Sequence, residues 1–569
     1  MRGVSEDVLH DTDNLARAMI SADDRTPFSE WRSAYFRNYL ALHPEEATTL
    51  GVAHHASRLS DLSKDGIALN VAFFERTLRD VASFDTSALD DDARLDLRAI
   101  RSLAEFSLRE LRDRTSYRTN LELSSFPHTM LAHQSAHAKG DFAWSVMAER
   151  ARRVPLYLAQ QEANLREGLD LGETVDTEIA RCFIDHVLPG SIQFLRELAE
   201  RQPAHAASFE AAAEAYAAHL AFVKDTLFPR SRECFAIGRA EVEFRLERFL
   251  GRPVSLDDLL EDAKVCLTKA QAELVTLANR VARTKGATVA THKEAAEFFM
   301  KLWADHPATL GDALATYRDV QERALAFIRS TNLFSLPEPF RLELRTLPPG
   351  IAVGTPATNW PAPLLDRKQT GAFLISPDVN AHSISGAANL AVHEGIPGHF
   401  LQSAAWQAQF SDDPSPVRFV CVADDVAMAS QYYGSMVNIE GFAAYAEELM
   451  LAEGFYTDEE ALLSVVSKAI RAARVIADLS LHAGTMSREE AACMLSESAA
   501  MPLAWARGQV LRYSRIPLQA MTYHVGCRQI WALKEKAKAQ PHFTQAIFHQ
   551  RLFDVGPIPP SVAESRIVI

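Results

Sequence analysis

Apolar residues recur at intervals of three and four along much of this chain, and that spacing predicts helices. Residues 89–114 show it, and so do 206–226, 255–283 and 311–330. Ser255, followed by Asp257 and Asp258, has the chemistry of a helix start. Strand-like alternation is rare, and no internal repeat or low-complexity tract interrupts the pattern. The expected fold is therefore mainly α.

The pattern changes over 333–380, where proline and glycine are dense enough to break helices (Thr346-Leu-Pro-Pro-Gly350; Pro361-Ala-Pro363). Arg341–Thr346 and Ala372–Ile375 read as short strands, so a small β-sheet is expected here. An irregular connector between two helical halves is the competing reading. If a sheet forms, 370–377 is the candidate edge strand for an extended substrate backbone. The organisation expected is an N-terminal extension (1–25), a helical part (26–332) and a catalytic part (333–569), the last two forming one continuous domain.

Composition narrows the class. Hydrophobic content of 48% and charged content of 23% are those of a globular protein, and 569 residues suffice for a large core. A net charge of −15 argues against nucleic acid and anionic membrane as partners. Residues 1–25 are polar and acidic without an apolar signal core, and no apolar run is long enough to span a bilayer. Six cysteines are scattered without metal-site spacing and read as reduced thiols. A cytoplasmic location follows as the expectation, and a homodimer is compatible with these features.

The chemistry concentrates in His393-Glu394-Gly-Ile-Pro397-Gly398-His399 and, 41 residues later, Glu440-Gly-Phe-Ala-Ala-Tyr445-Ala-Glu447. Two histidines flanking an acid, followed by a distant carboxylate, are the parts of a gluzincin-type zinc hydrolase. The spacing departs from a regular zincin, whose two histidines lie four apart on one helical face. His399 is six residues after His393, roughly 240° round an ideal helix. Pro397 and Gly398 are the residues that break helices, so a kink or bulge after Ile396 is expected to return His399 to the metal. Glu440 and Glu447 share a helical face with the small residues Ala443 and Ala444. The apolar approach from Met428 to Ile439 argues that Glu440 is buried, and a buried carboxylate wants a cation. Exposed surface charge is the other reading of Glu447-Glu448.

Together the two motifs resemble the bacterial family known as "domain of unknown function 885". Its members are identified as candidate zinc metallopeptidases, similar in fold to the carboxypeptidase Taq and angiotensin-converting enzyme clans. The resemblance runs over nearly the whole chain, from Pro44-Glu-Glu-Ala to Arg512-Tyr513, Pro517-Leu-Gln519-Ala and Tyr523-His-Val-Gly526. It implies a large helical metallopeptidase-like fold with a deep central cleft. It implies one zinc ion per chain on His393, His399 and Glu440, with Glu394 as general base and Tyr523 on the oxyanion. Phe442 stands where the family usually has tryptophan, and Phe400 replaces a common histidine. Both departures put the substrate pocket in doubt more than the chemistry.

Arg474, Asp478 and His482 lie four apart on one helical face. They read either as a network that orients a ligand and assists the oxyanion, with His482 as a second catalytic group, or as an ion-pair ladder. Glu447 and Tyr445 are further ligand-orienting candidates, and Arg512, Arg515 and His524 are candidates for holding a substrate carboxylate. His382 fits a pocket or a loop equally well. The reaction class expected is metal-assisted hydrolysis of a short peptide. A small non-peptide amide is the alternative substrate, and a non-catalytic helical binding protein is the third reading.

Overall fold

The expected helices form where the apolar periodicity placed them. In the computed structural model, which describes residues 27–138, 140–338, 340–347, 356–420 and 432–568, they run over Asp91–Leu108, Ala206–Phe222, Leu256–Thr284 and Leu310–Thr331. The extension 1–25, Cys421 and the 428–431 part of the approach to Glu440 lie outside the described residues. Ser255 starts its helix as its chemistry requires, its hydroxyl accepting from the Asp258 N–H. Eight helices carry the argument below: α1 (Leu256–Thr284), α2 (Leu310–Thr331), α3 (Ala387–Glu394), α4 (His399–Phe410), α5 (Met436–Ala452), α6 (Asp458–Ala483), α7 (Leu503–Arg515) and α8 (Thr522–Ala537). No described helix is long and apolar enough to cross a membrane.

The Pro/Gly-rich stretch holds a small three-stranded sheet: β1 (Glu343–Thr346), β2 (Ala357–Trp360) and β3 (Ala372–Ile375), in the order β1-β3-β2. β3 pairs parallel with β1 and antiparallel with β2. The expectation of an edge strand at 370–377 is therefore corrected. β3 is central and its backbone is engaged on both sides, so it cannot add a substrate strand. β2, which the proline-rich sequence concealed, lies on an outer side of the sheet, and its Thr358 and Asn359 reach the cleft described below.

One hydrophobic core extends from Trp31 to Ile567 and draws on both sides of residue 332. Position 332 thus marks a change of local pattern inside one packed body. A second cluster, from Leu121 to Leu227, sits apart from it.

The contact between α5 and α8 sets the geometry of the site, and it is made by two glycines. A Cβ on Gly526 would lie 1.8 Å from the Val437 carbonyl oxygen, and one on Gly441 would lie 2.5 Å from the Gly526 Cα. The obstructing atoms are backbone and cannot swing aside. Gly508, in α7, has nothing within 4 Å of the same position. Gly526→Ala is expected to destabilise the protein by about 1–3 kcal/mol or more through overpacking. Gly508→Ala should stabilise by about 0.5–1 kcal/mol through helix propensity. Denaturant melts of the two variants check the opposite signs.

Candidate metal centre

His393 and His399 reach one point because the helix that carries the first of them stops. α3 ends at Glu394, a four-residue turn follows, and α4 starts at His399. The break expected after Ile396 is thus a complete termination that begins two residues earlier. The Gly398 N–H donates back to the Val392 carbonyl at 2.9 Å. A Cβ at Gly398 would stand 1.9 Å from the His393 carbonyl oxygen, so only glycine fits. Gln321 of α2 braces the turn, donating to the Ala391 carbonyl at 2.5 Å and accepting from the Ile396 N–H at 3.0 Å. The Ala391 carbonyl also accepts from the Gly395 N–H at 2.9 Å, so Gln321 ties the last turn of α3 to the residue that follows it.

His393 Nε2 and His399 Nε2 both face Glu440 Oε2, at 3.5 and 3.4 Å. All three side chains are buried, Glu440 completely. Glu440 Oε2 makes no hydrogen bond. Such separations match three donors round a tetrahedral cation, since metal–ligand bonds of about 2.0–2.1 Å place N and O roughly 3.3 Å apart. Gln519 approaches the other oxygen of Glu440 at 3.4 Å, and Arg512 in turn donates to Gln519 at 2.8 Å.

The far side of His393 is held by Glu447. His393 Nδ1 lies 2.6 Å from Glu447 Oε1, a contact that needs a proton between them and turns Nε2 toward Glu440. Glu447 also accepts from Asn389 at 2.7 Å and from both Nη atoms of Arg471, one of them at 3.0 Å. Burial opposes an imidazolium at His393, but Glu440 and Glu447 outweigh it and raise its pKa to about 10. Burial likewise opposes ionisation of Glu447, but Arg471 and His393 hold its carboxyl down at about 2. Glu440 is held below the usual carboxylate range against burial by the two histidines. The resulting field favours positive charge at the midpoint of the three side chains. Arg471 offsets Glu447 alone, which leaves the Glu440 carboxylate to the two imidazoles, so a divalent cation suits the donor set.

Glu394, His399 and Glu440 line one wall of a cleft. Its other surfaces include Leu50, Leu364, Trp406 and Phe419, with Thr358 and Asn359 supplied by β2. Tyr523, from α8, stacks on His393 with ring centroids 6.1 Å apart and planes 13° apart. The Arg474 guanidinium lies 5.1 Å from the centre of the Tyr523 ring.

The structure separates the remaining candidates. Asp478 stands apart from His393, His399 and Glu440; its carboxylate accepts from the Leu518 and Met521 N–H groups at 3.0 and 3.1 Å. Burial raises its pKa to about 7 against the backbone donors that lower it. It thereby fixes a turn in which Leu518 takes a left-handed φ of 69°, and this turn delivers Gln519 and begins α8. His482 is corrected: it is fully buried, bonds the Tyr513 carbonyl through Nε2 at 2.9 Å, and is kept neutral by burial, with its pKa down at about 4. It packs helices and does not reach the cleft. Tyr445 is corrected as well, since its hydroxyl meets His549 at 2.7 Å on the side of α5 turned toward the core.

Arg515 pairs with Glu122, and His382 is a buried structural histidine between Tyr317 and the Ser376 carbonyl. His524 faces Asp262 of α1. Phe400 and Phe442 are core residues packed on Phe340 and Phe553, and neither lines the cleft. Cys527 is buried, and burial raises its thiol well above the usual range. Sequence reasoning missed Arg471, Asn389, Gln321 and Gln519. Arg471 left one trace: a lone charge in the apolar run Ala469–Ala473, one turn before Arg474.

Fold and site define a mainly helical protein with an imidazole–carboxylate cluster at the wall of a cleft. The profile of the family described as "Bacterial protein of unknown function (DUF885)" matches residues 44–567, and the chain belongs to that family. Two solved structures share the fold. One is a candidate lipoprotein of unknown function from Shewanella oneidensis, at 19% identity and a TM-score of 0.75, covering 96% of this chain and 100% of that one. The other is a candidate lipoprotein from Colwellia psychrerythraea, at 15% identity and a TM-score of 0.76, covering 96% and 99%. No curated protein matches.

Arg471→Ala would leave the fully buried Glu447 without its guanidinium. The expected loss is about 3–5 kcal/mol, the usual effect of orphaning one partner of a buried pair. Thermal and denaturant melts against the parent protein check it.

Proposed function

We propose that this chain is a zinc-dependent hydrolase of peptide or amide bonds in short substrates. The observation that carries the reading is the convergence of His393 Nε2, His399 Nε2 and Glu440 Oε2 beside Glu394 on one wall of a cleft. His393, His399 and Glu440 would hold the ion. Zinc bound there supplies a water acidified to near neutrality and an electrophile for the scissile carbonyl.

Glu394 follows His393 on α3 and opens on the cleft, so its carboxylate is the base that takes the water's proton and returns it to the leaving amine. Tyr523, beside His393, is the hydroxyl donor for the developing oxyanion. Glu447 holds His393 in the tautomer that presents Nε2, and Arg471 and Asn389 hold Glu447. The cleft's apolar walls (Leu50, Leu364, Trp406, Phe419) suit hydrophobic side chains.

Glu394→Gln is expected to lower kcat by about 100- to 10,000-fold with the metal retained. A digest of a short-peptide library, read by mass spectrometry, tests both substrate and base. Parent-like turnover in Glu394→Gln refutes the mechanism. Cleavage of non-peptide amides but of no peptide would move the reading to an amidase.

Glu447→Gln should weaken zinc by about 10- to 100-fold, the usual effect of losing a carboxylate behind a ligating histidine. Competition against a chromophoric chelator measures it. The His393→Ala/His399→Ala double variant should hold one zinc fewer per chain than the parent.

A further inference from the structure

We propose a second metal site, formed by Asp262, Cys266 and His524, that ties α1 to α8 and takes a borderline-soft divalent cation such as zinc. The site rests on its own geometry and does not depend on the hydrolase reading. Asp262 and Cys266 are four residues apart on α1, so both side chains project from one face. His524 comes from α8. His524 Nε2 lies 3.6 Å from Asp262 Oδ2, and Cys266 Sγ lies 3.9 Å from the same oxygen. All three donor atoms are within 4.8 Å of one another. Zinc bonds of about 2.3 Å to sulfur and 2.0–2.1 Å to nitrogen and oxygen require separations of roughly 3.3–3.6 Å, so a small inward movement closes the set.

Two further observations point to a ligand. His524 Nε2 is a buried atom aimed at Asp262 Oδ2, from which it stands just beyond hydrogen-bond length. The Asp262 side chain is about half exposed, which leaves an entry path and room for water as a fourth ligand. Arg528, one turn after His524, reaches Asp262 only at 4.0 Å and does not cover it. Thiolate, imidazole and carboxylate together select zinc-like ions over magnesium or calcium. Binding releases the Cys266 thiol proton to solvent, so affinity rises with pH. Because His524 directly follows Tyr523, an occupied site would anchor α8 to α1 beside the cleft.

Cobalt(II) separates this site from the central one, whose donors include no sulfur. Only a thiolate ligand gives cobalt an intense near-ultraviolet charge-transfer band. Reduced, metal-stripped protein titrated with cobalt should develop that band and saturate it at one equivalent. The His393→Ala/His399→Ala variant should keep the band. Cys266→Ser should abolish it and His524→Ala should reduce it strongly, each with a parent-like melting temperature in the absence of metal. Absence of the band in the parent protein, or its persistence in Cys266→Ser, overturns the proposal. A band that rises only with a large molar excess of cobalt overturns it too.

Discussion

The structure around the cleft depends on one buried chain of alternating charge: Arg471, Glu447, His393, Glu440. Each member is almost wholly removed from water, and an isolated charge in that setting would be prohibitive. Each is therefore tolerable only because its neighbours are in place. The chain runs across three helices. Arg471 belongs to α6, both glutamates to α5 and His393 to α3, so the three must adopt one mutual register before the charges are compensated. Packing and electrostatics here are one requirement. A relative slide of any of the three helices would break a charge-assisted hydrogen bond and leave an ion in the core.

The two glycines at the α5–α8 crossing serve the same register from the opposite side. They let the backbones meet with no side chain between them, which brings Tyr523 against the His393 ring. Asp478 then holds the turn that begins α8 through two backbone N–H groups. The turn's Gln519 reaches Glu440 and is itself held by Arg512. Residues that resemble catalytic candidates in the sequence thus act at one remove. Asp478 shapes a loop, Arg474 covers the Tyr523 ring and Arg512 positions a glutamine.

Much of the fold was legible because helical periodicity is a local signal, and Ser255, Asp257 and Asp258 marked a helix start with their own chemistry. β2 was hidden because its residues, Ala357–Trp360, sit between prolines and owe their extended form to pairing with β3. In the site, the convergence of His393, His399 and Glu440, and the place of Glu447, were legible from residue type and spacing, since a carboxylate seven residues after Glu440 shares its face. His482 and Tyr445 were misplaced because both lie on helices buried on every side. In such a helix periodicity no longer says which face meets the cleft. Gln321 and Asn389 left no local trace, as their partners are far away in sequence or are backbone atoms.

The turn at Gly395–Gly398 has a mechanical consequence. In a single helix, two ligands four residues apart move as one rigid piece, and the bite between them is fixed by helical twist. Here the two imidazoles ride on separate rods, with Glu440 on a third, and the rods meet at a joint pinned by Gln321. The bite is therefore set by how the rods are clamped together, and any strain that shears α3 against α4 or α5 is felt first at the donor atoms. The cluster is in effect a gauge of the alignment of the core around it.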